Sequence, residues 1–402
     1  MRNLGTTLIA ATLATLVAPA LPAAATTSAA GYIVMLSDDA AVSTVVDDHA
    51  RRHGVEVTHR YQHALNGYAA RMSATAAARL AADPRVLLVQ RDGIATTTAQ
   101  TMPTGVDRVD AELSATAKIN GADERVDVDV AVIDTGVDLD HPDLNVHAAG
   151  AKNCSTGRSA DDGNGHGTHV AGTIGALDNA TGVVGVAPGA RIWPVRVLNN
   201  NGSGSWSDII CGVDFVTANA DRIEVANMSL GGSGADSTCG TNRDALHEAI
   251  CRSVNAGVTY VVAAGNSASD AESFVPATYA EVITVSALAD FDGRPGALGS
   301  ATCRDDVDDT FADFSNHGAD VDLIAPGVCI NSTWKGGGYN TISGTSMASP
   351  HAAGGAALYK ATNPSATPGT VRSALRSAGT SDWDTATDPD GSAEPLLNVA
   401  KL

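Results

Sequence analysis

Short apolar runs alternate with helix-length segments through most of this chain, and this alternation limits its fold more than any other feature. Strands that are connected through helices pair in parallel, and a parallel sheet needs helices over both of its faces. The sequence therefore predicts an α/β fold with a mostly parallel central sheet and helices on both faces. The predicted strands are residues 128–133, 191–198, 225–229, 258–263 and 282–287, and the predicted helices are residues 166–177, 207–219, 243–256, 346–362 and 367–378.

A second, smaller unit is predicted ahead of this sheet, at residues 31–95. Its pattern is a strand at 32–36, a helix at 41–53, strands at 55–61 and 67–72, a helix capped by Ser73, and a strand at 86–90. The order βαββαβ is that of the split ferredoxin-like α+β fold. The residues alone are equally compatible with an ordinary N-terminal domain that has a function of its own.

Residues 1–25 have the features of a secretory signal peptide. Arg2 precedes a short apolar run, which ends in the small residues Ala23 to Ala25. A membrane-anchoring helix is the alternative, but threonines and Pro19 interrupt the run. We therefore expect a secreted, extracellular protein that has no membrane partner.

Charge and cysteine content agree with an extracellular protein. The formal net charge of −20 argues against nucleic acid as a partner and favours solubility. Six cysteines in a secreted chain, none of them spaced C-x-x-C, favour disulfides over metal sites. Six cysteines allow fifteen pairings. The favoured one joins Cys239 to Cys251, which are close in sequence, and Cys303 to Cys329, which leaves Cys154 with Cys211.

Segment 342–351 (ISGTSMASPH) contains a serine, Ser346, at the start of a predicted helix. The unpaired N–H groups and the positive dipole end of such a helix favour negative charge at this point. A serine hydroxyl is a weak nucleophile, however, and needs an adjacent base. Taken alone, Ser346 would be an ordinary helix cap.

Two other segments change that interpretation. Segment 130–136 (VAVIDTG) carries Asp134 at the end of an apolar strand, where open α/β sheets keep functional groups. Segment 164–173 (NGHGTHVAGT) places His166 between glycines at the start of a helix. His166 and His169 would also suit a metal site, but no acidic residue in this helix stands at a ligand spacing. The order Asp134, His166, Ser346 is one of the known orders of a serine-protease triad.

With these motifs the chain from about residue 99 to residue 402 resembles the subtilisin-like serine protease (subtilase) family, of the bacterial subtilisin and proteinase K type. The resemblance implies that Ser346 is the nucleophile, that His166 is the general base and acid, and that Asp134 orients the imidazole. Segment 263–266 (AAGN) matches the oxyanion segment of the family. Asn266, which alone would be a turn residue, would then donate to the tetrahedral intermediate together with the Ser346 N–H.

The resemblance also implies a substrate cleft in which a peptide binds as an added strand. Each of its three segments alone would be a plain loop. The implied pocket is roomy and apolar, without a buried charge, unless Phe274 and Val275 near its floor make it smaller. The substrate-binding residues are Gly202, Ser203 and Gly204 at one edge, Ser229, Leu230, Gly231 and Gly232 at one wall, and Ala263, Ala264 and Gly265 at the other.

For the N-terminal unit, the family implies a propeptide that assists folding and inhibits the enzyme. The implied domains are a signal peptide at residues 1–25, a propeptide at 26–98 and a catalytic domain at 99–402. Self-cleavage would occur at Thr98–Ala99, with residues 94–98 lying in the active site as a substrate-like strand.

Structural calcium is the cofactor that the resemblance implies, because loops with several oxygen donors suit this ion. A plain surface loop is the alternative for the first site, and the second is the weaker prediction. The first set of ligands is Gln100, Asp143, Leu177, Asn179, Thr181 and Val183, and the second is Asp322 with the carbonyl groups of Ala277, Tyr279 and Val282.

The leading interpretation is a secreted, monomeric serine endopeptidase that is made as a self-processing preproenzyme. Its partners would be protein and peptide substrates and its own propeptide as inhibitor. A catalytically weak relative that acts as a binding protein is the alternative from another class. A non-proteolytic esterase is a third, but the chain lacks the G-x-S-x-G motif of those hydrolases.

Overall fold

The computed structural model describes residues 30–92, 100–241 and 243–402. The predicted signal peptide, the substrate-like segment 94–98 and the cleavage site Thr98–Ala99 lie outside the described residues. The chain divides into two compact units, Met1–Thr97 and Thr98–Leu402. None of the helices in the described ranges has the length and apolarity that crossing a membrane requires.

The first unit has the predicted ferredoxin-like topology. Its elements are β1 (Ala30–Leu36), α1 (Val42–His53), β2 (Glu56–Tyr61), β3 (Gly67–Met72), α2 (Ala74–Ala81) and β4 (Val86–Arg91). The strands form an antiparallel sheet in the order β2-β3-β1-β4. The Ser73 hydroxyl accepts from the N–H of Ala76 and so caps α2 as expected. Val34, Val46 and Leu80 are fully buried between the sheet and its helices.

The second unit is built on the predicted parallel sheet. Its helices are α3 (Thr104–Arg108), α4 (His166–Gly175), α5 (Trp206–Ala218), α6 (Ala245–Asn255), α7 (Thr345–Thr362) and α8 (Pro368–Ala378). Its strands are β5 (Asp129–Asp134), β6 (Lys152–Asn153), β7 (Arg191–Arg196), β8 (Ile223–Met228), β9 (Gly232–Ser233), β10 (Thr259–Ala263), β11 (Phe274–Val275), β12 (Ile283–Ala289), β13 (Thr310–Phe311), β14 (Leu323–Pro326), β15 (Ile330–Trp334) and β16 (Gly338–Ile342).

Eight of these strands form one sheet, in the order β13-β12-β10-β8-β5-β7-β6 with β14 beside β12. All its pairings are parallel except the one between β12 and β13. Strand β5 is buried along its whole length. Its alternate residues enter two cores, Val130 and Val132 with α4 and α7, and Ala131 and Ile133 with α5 and α6. The predicted α/β architecture is therefore confirmed.

The structure differs from the prediction at several short strands. Strands β6, β9, β11 and β13 contain two residues each, which is too short for an alternating pattern to be recognised. Helix α4 ends at Gly175, two residues before the predicted end, because the next residues join a loop in which the N–H of Leu177 donates to the carbonyl of Asp143.

All three predicted disulfides are confirmed. The pairs are Cys154–Cys211, Cys239–Cys251 and Cys303–Cys329. Their partners are 57, 12 and 26 positions apart in the sequence, respectively.

Candidate active site

Asp134 and His166 meet at the carboxyl edge of the sheet. Asp134 is fully buried, and its Oδ1 lies 2.7 Å from Nδ1 of His166. The backbones can approach this closely because residue 167 is glycine: a Cβ there would overlap the carbonyl of Gly136 and lie 3.1 Å from Cβ of Asp134. With Nδ1 donating to the carboxylate, the Nε2 atom of His166 is left to accept a proton.

The pKa of His166 is raised, and opposing causes act on it. Burial is the largest and lowers this pKa, but the charge and the hydrogen bond of Asp134, together with the charge of Asp162, outweigh it. The carboxylate therefore stabilises the imidazolium form, which is the form that a general base reaches after it takes a proton.

Ser346 is the second residue of α7, where backbone N–H groups have no intrahelical partner. Its Oγ donates to the carbonyl of Ser229 at 3.2 Å, and Oγ of Ser229 donates back to the carbonyl of Ser346 at 2.8 Å. Within the described residues Ser346 makes no hydrogen bond to His166. Side chains of an unliganded active site often take up their catalytic hydrogen bond only when substrate is bound.

Asn266 is held next to the start of the same helix. Its Oδ1 accepts from the N–H of Thr345 at 2.8 Å and from Oγ1 of Thr345 at 3.0 Å. Because the amide oxygen is used in this way, the NH₂ group must point away from Thr345. It lies close to Gly344, where a built Cβ would be 3.6 Å from Nδ2. The amide is thus oriented as a donor beside the serine.

A cleft of about 690 Å³ joins these groups. His166 is the only ionisable side chain among the described residues that line it. The predicted residues Ala263, Ala264, Gly265 and Gly232 are not part of the lining. The lining residues are Thr135, Asn164, His166, Leu198, Gly202, Ser203, Gly204, Ser205, Trp206, Ile209, Ser229, Leu230, Gly231 and Ser346.

Two residues that hold the site were missed from the sequence. Asp162 accepts from the N–H of Asn164, Gly165 and Thr168 and so shapes the loop that leads into α4. Asn227 donates to Oγ of Ser229 at 2.9 Å, which orients the partner of the nucleophile. Asp162 precedes residues 163–166 (GNGH), which are typical of a helix start, and this pattern in the sequence could have identified Asp162 as a residue that shapes the loop.

His169 does not join His166 in a metal site. It is fully buried, and its Nε2 lies 2.9 Å from the carbonyl oxygen of Ile330. Burial lowers the pKa of His169 to about 3, so the ring is neutral and donates this hydrogen bond.

The first set of predicted calcium ligands converges in the structure. Oδ1 of Asp143 accepts from Nδ2 of Asn179 at 2.9 Å, and Nε2 of Gln100 donates to the carbonyls of Leu177 and Val183. Thr181 lies in the same loop, where its N–H donates to Oδ1 of Asn179.

This loop suits a cation. Asp143 is buried, and burial is the main cause that raises its pKa. No lysine or arginine of the described chain is paired with it, so its charge is uncompensated. Rotation of the Gln100 amide would turn its oxygen towards the point at which the two carbonyls meet. A carboxylate, amide oxygens and carbonyls are the donors that calcium prefers.

The second predicted calcium position has a different cation. Arg372 Nε and Arg376 Nη1 each lie 2.7 Å from Oδ1 of Asp322, and Arg372 also donates to the carbonyl of Ala280. Both guanidinium groups belong to α8, a helix that the family resemblance did not connect with Asp322. Two of the three predicted carbonyls are also occupied: that of Ala277 accepts from Oγ1 of Thr284, and that of Tyr279 from the N–H of Val282. The carboxylate of Asp322 is therefore paired with two arginines in the structure, and calcium at this position stays a prediction.

Comparison with known proteins adds to this geometry. Residues 126–392 match the subtilase family, and residues 31–98 match the peptidase inhibitor I9 family. Subtilisin E of Bacillus subtilis (strain 168) is 39% identical over 319 residues, which cover 79% of this chain and 76% of that protein. The extracellular serine proteinase of Thermus sp. (strain Rt41A) is 42% identical over 328 residues, covering 80% and 73%. The crystal structure of a cold adapted subtilisin-like serine proteinase superimposes with a TM-score of 0.57 at 36% identity, and covers 74% of this chain and 98% of that one.

Proposed function

The chain belongs to the subtilase family of serine endopeptidases, and from this premise we propose that it hydrolyses peptide bonds through an acyl-enzyme on Ser346, with His166 and Asp134 as the other members of the triad. The observation that carries the proposal is the convergence on one cleft of the Asp134–His166 pair and of Ser346 at a helix start.

In the acylation step, Oγ of Ser346 attacks the scissile carbonyl carbon while Nε2 of His166 takes its proton. The negative charge that develops on the carbonyl oxygen is stabilised by the Nδ2 group of Asn266 and the N–H of Ser346, which are aimed before substrate arrives. When the C–N bond breaks, His166 returns the proton to the leaving amine. A water molecule then attacks the ester carbon by the same path, which releases the acid product and restores Ser346.

The N-terminal unit would act as the propeptide of this enzyme. Its match to an inhibitor family supports inhibition in cis before the junction at Thr98–Ala99 is cut. The signal-like residues 1–25 support secretion, and the disulfides suit the extracellular medium. Calcium held by Gln100, Asp143 and Asn179 would stabilise the folded catalytic unit. We further propose that the enzyme acts as a monomer.

Labelling with a fluorophosphonate tests the proposal. Wild-type protein should form one covalent adduct, located on Ser346, and should lose its peptidase activity in proportion. Ser346→Ala should not be labelled, whereas Ser365→Ala, which changes an exposed serine outside the cleft, should be labelled normally. A folded wild-type protein that is neither labelled nor active would instead be a binding protein of the same fold.

A further inference from the structure

Two chain segments flank the position of the nucleophile. Strands β8 and β10 are parallel neighbours, with Met228 opposite Val262. Residues 229–232 follow the first strand, and residues 263–265 lie at the end of the second. Both segments contact the start of α7: Ser229 bonds to Ser346, and the N–H of Gly265 donates to Oγ1 of Thr345. If the proposed function is correct, the gap between the two segments receives the substrate side chain that precedes the scissile bond.

The ring of Phe274 fills this gap. A Cβ built on Gly231 would overlap Cε1 of Phe274 and would lie 2.8 Å from Cζ. A Cβ built on Gly265, in the opposite wall, would lie 3.1 Å from Cδ1 of the same ring. One aromatic ring is therefore in contact with both walls, and glycine at both positions leaves the space that it needs.

The shape of the cleft agrees with these contacts. Its lining includes Ser229, Leu230 and Gly231 from one wall but neither Gly265 nor Phe274 from the other side. The open volume therefore lies on the side of Ser229, Leu230 and Gly231.

The backbone of Phe274 is fixed on both sides. Strand β11 pairs with β9, so that Phe274 lies opposite Ser233 and Val275 opposite Gly232. The carbonyl of Phe274 also accepts from the N–H of Thr278 at 3.0 Å. The Cα atom that carries the ring therefore cannot withdraw without breaking this small sheet.

We propose that Phe274 sets the substrate class of this enzyme, by filling the pocket for the residue before the scissile bond and restricting it to small side chains such as Gly, Ala, Ser and Thr. This inference rests on the proposed function and deepens it. The predicted self-cleavage site ends in Thr98, a residue of this class.

Hydrolysis of succinyl-Ala-Ala-Pro-Xaa p-nitroanilides, with Xaa = Ala, Leu or Phe, tests the inference. Wild type should have its highest kcat/KM with Ala and its lowest with Phe. In Phe274→Gly the ratio of kcat/KM for Phe over Ala should rise by at least about 100-fold, since a single methylene group changes discrimination by about 10–200-fold. Phe274→Leu should show a smaller rise. Active-site titration with the fluorophosphonate corrects each value for the fraction of folded enzyme.

Phe215→Ala is the matched control, because this partly buried phenylalanine packs on Trp193 and is not among the described residues that line the cleft. It should leave the substrate ranking unchanged. If wild type cleaves the Phe substrate as well as the Ala substrate, or if Phe274→Gly leaves the ratio unmoved, the inference is wrong although the enzyme is a peptidase. If Phe274→Gly does not fold, the ranking of wild type and of Phe274→Leu decides. A wild type that is neither labelled nor active would refute the proposed function itself.

Discussion

Ser346 and Ser229 exchange two hydrogen bonds, each using its hydroxyl to donate to the carbonyl of the other. The bond from Oγ of Ser229 to the carbonyl of Ser346 holds the start of α7 against the end of β8 and does not involve the reactive hydroxyl. The second one does, because it is the Oγ of Ser346 that donates to Ser229. Rotation about one side-chain bond must therefore turn this Oγ towards His166 before it can give up its proton.

Replacement of Ser346 by alanine should abolish proteolysis and leave the N-terminal unit attached, because one hydroxyl is proposed to perform both self-cleavage and substrate cleavage. The measurement is the mass of the purified protein, made in a host without other secreted proteases. A variant that is still cut at Thr98–Ala99 by itself would show that Ser346 is not the nucleophile for processing.

Asn266→Ala should lower kcat by about 10²–10³, the loss known for such a donor in subtilisin itself, and should change KM much less. The reason is that its Nδ2 group gains its full hydrogen bond only when the oxyanion forms. Steady-state kinetics with one peptide substrate separate the two parameters. A main effect on KM would instead identify Asn266 as a residue that binds the ground state.

The rate of wild type should rise with pH through a pKa above 6.5, the ordinary value of histidine, because only neutral His166 can accept a proton and Asp134 raises its pKa. In Asp134→Asn the charge of Asp134 is lost and only the charge of Asp162 still opposes burial, so the rising limb should move to lower pH. The kcat of this variant should also fall by about 10⁴, because asparagine no longer holds the imidazole in the tautomer that leaves Nε2 free to accept a proton. The measurement is the pH profile of kcat/KM, with the exposed Asp221→Asn as control. A limb that stays in place would argue against the role of Asp134.

Removal of calcium should shorten the half-life of the mature enzyme at elevated temperature, because an ion bound only by the folded state stabilises that state. Asp143→Ala and Asn179→Ala should inactivate like chelated wild type and should not respond to added calcium. Asp322→Ala should lose half-life equally with and without calcium, because arginines bind Asp322 in the structure. A full response of Asp143→Ala to calcium would place the stabilising ion elsewhere.

Arg108→Met should destabilise the catalytic unit strongly. Arg108 is buried, donates to Oδ1 of Asp309 and lies 2.8 Å from Oδ2 of Asp290. Removal of one partner from a buried ion pair costs about 3–5 kcal/mol. Burial is the main cause that raises the pKa of Asp290 to about 7. Neighbouring carboxylates also raise this pKa, whereas the N–H of Gly293 and the charge of Arg108 lower it.

The cost of this substitution should depend on pH in a defined direction. The raised pKa means that folding favours protonated Asp290, so this contribution to stability is complete below 3.8 and is lost as pH rises towards 7. Without Arg108 the loss of stability between about pH 5 and pH 8 should be larger. It is measured as the difference between the thermal midpoints at about pH 5 and pH 8, in the Ser346→Ala background. Arg125→Met, which removes an exposed pair with Asp123, should change stability by no more than about 0.5 kcal/mol. An equal loss at both pH values would contradict the assignment to Asp290.

The sheet and the three central residues were predictable because each belongs to a strongly patterned segment. Asp134 ends an apolar run, His166 begins a helix directly after Gly165, and Ser346 is the second residue of a helix that follows Gly344. These signals are local, so they can be read without knowing how the chain folds. The disulfide pairs were favoured rather than determined, because six cysteines allow fifteen arrangements and three remain once the nearest pair is chosen.

The resemblance placed Phe274 near the floor of the pocket, but the position of its ring between the two walls was not predictable in the same way, and neither was the cation beside Asp322. Phe274 reaches the walls only because β11 pairs with β9, and neither strand has a pattern of its own. Arg372 and Arg376 are one turn apart on α8 and read as surface residues, yet both reach a carboxylate some 50 residues earlier in the chain. Such contacts depend on how distant segments pack, which no local pattern encodes.

The pair of arginines beside Asp322 has a consequence for where such an enzyme can work. A counter-ion that is part of the polypeptide has no dissociation equilibrium, so dilution, chelating metabolites or phosphate in the surroundings cannot withdraw it. The segment that α8 and Asp322 tie together should therefore keep its stability in media poor in divalent ions. The loop around Asp143, where calcium is proposed to bind, would then be the part that links the lifetime of the protein to the divalent ions in its surroundings.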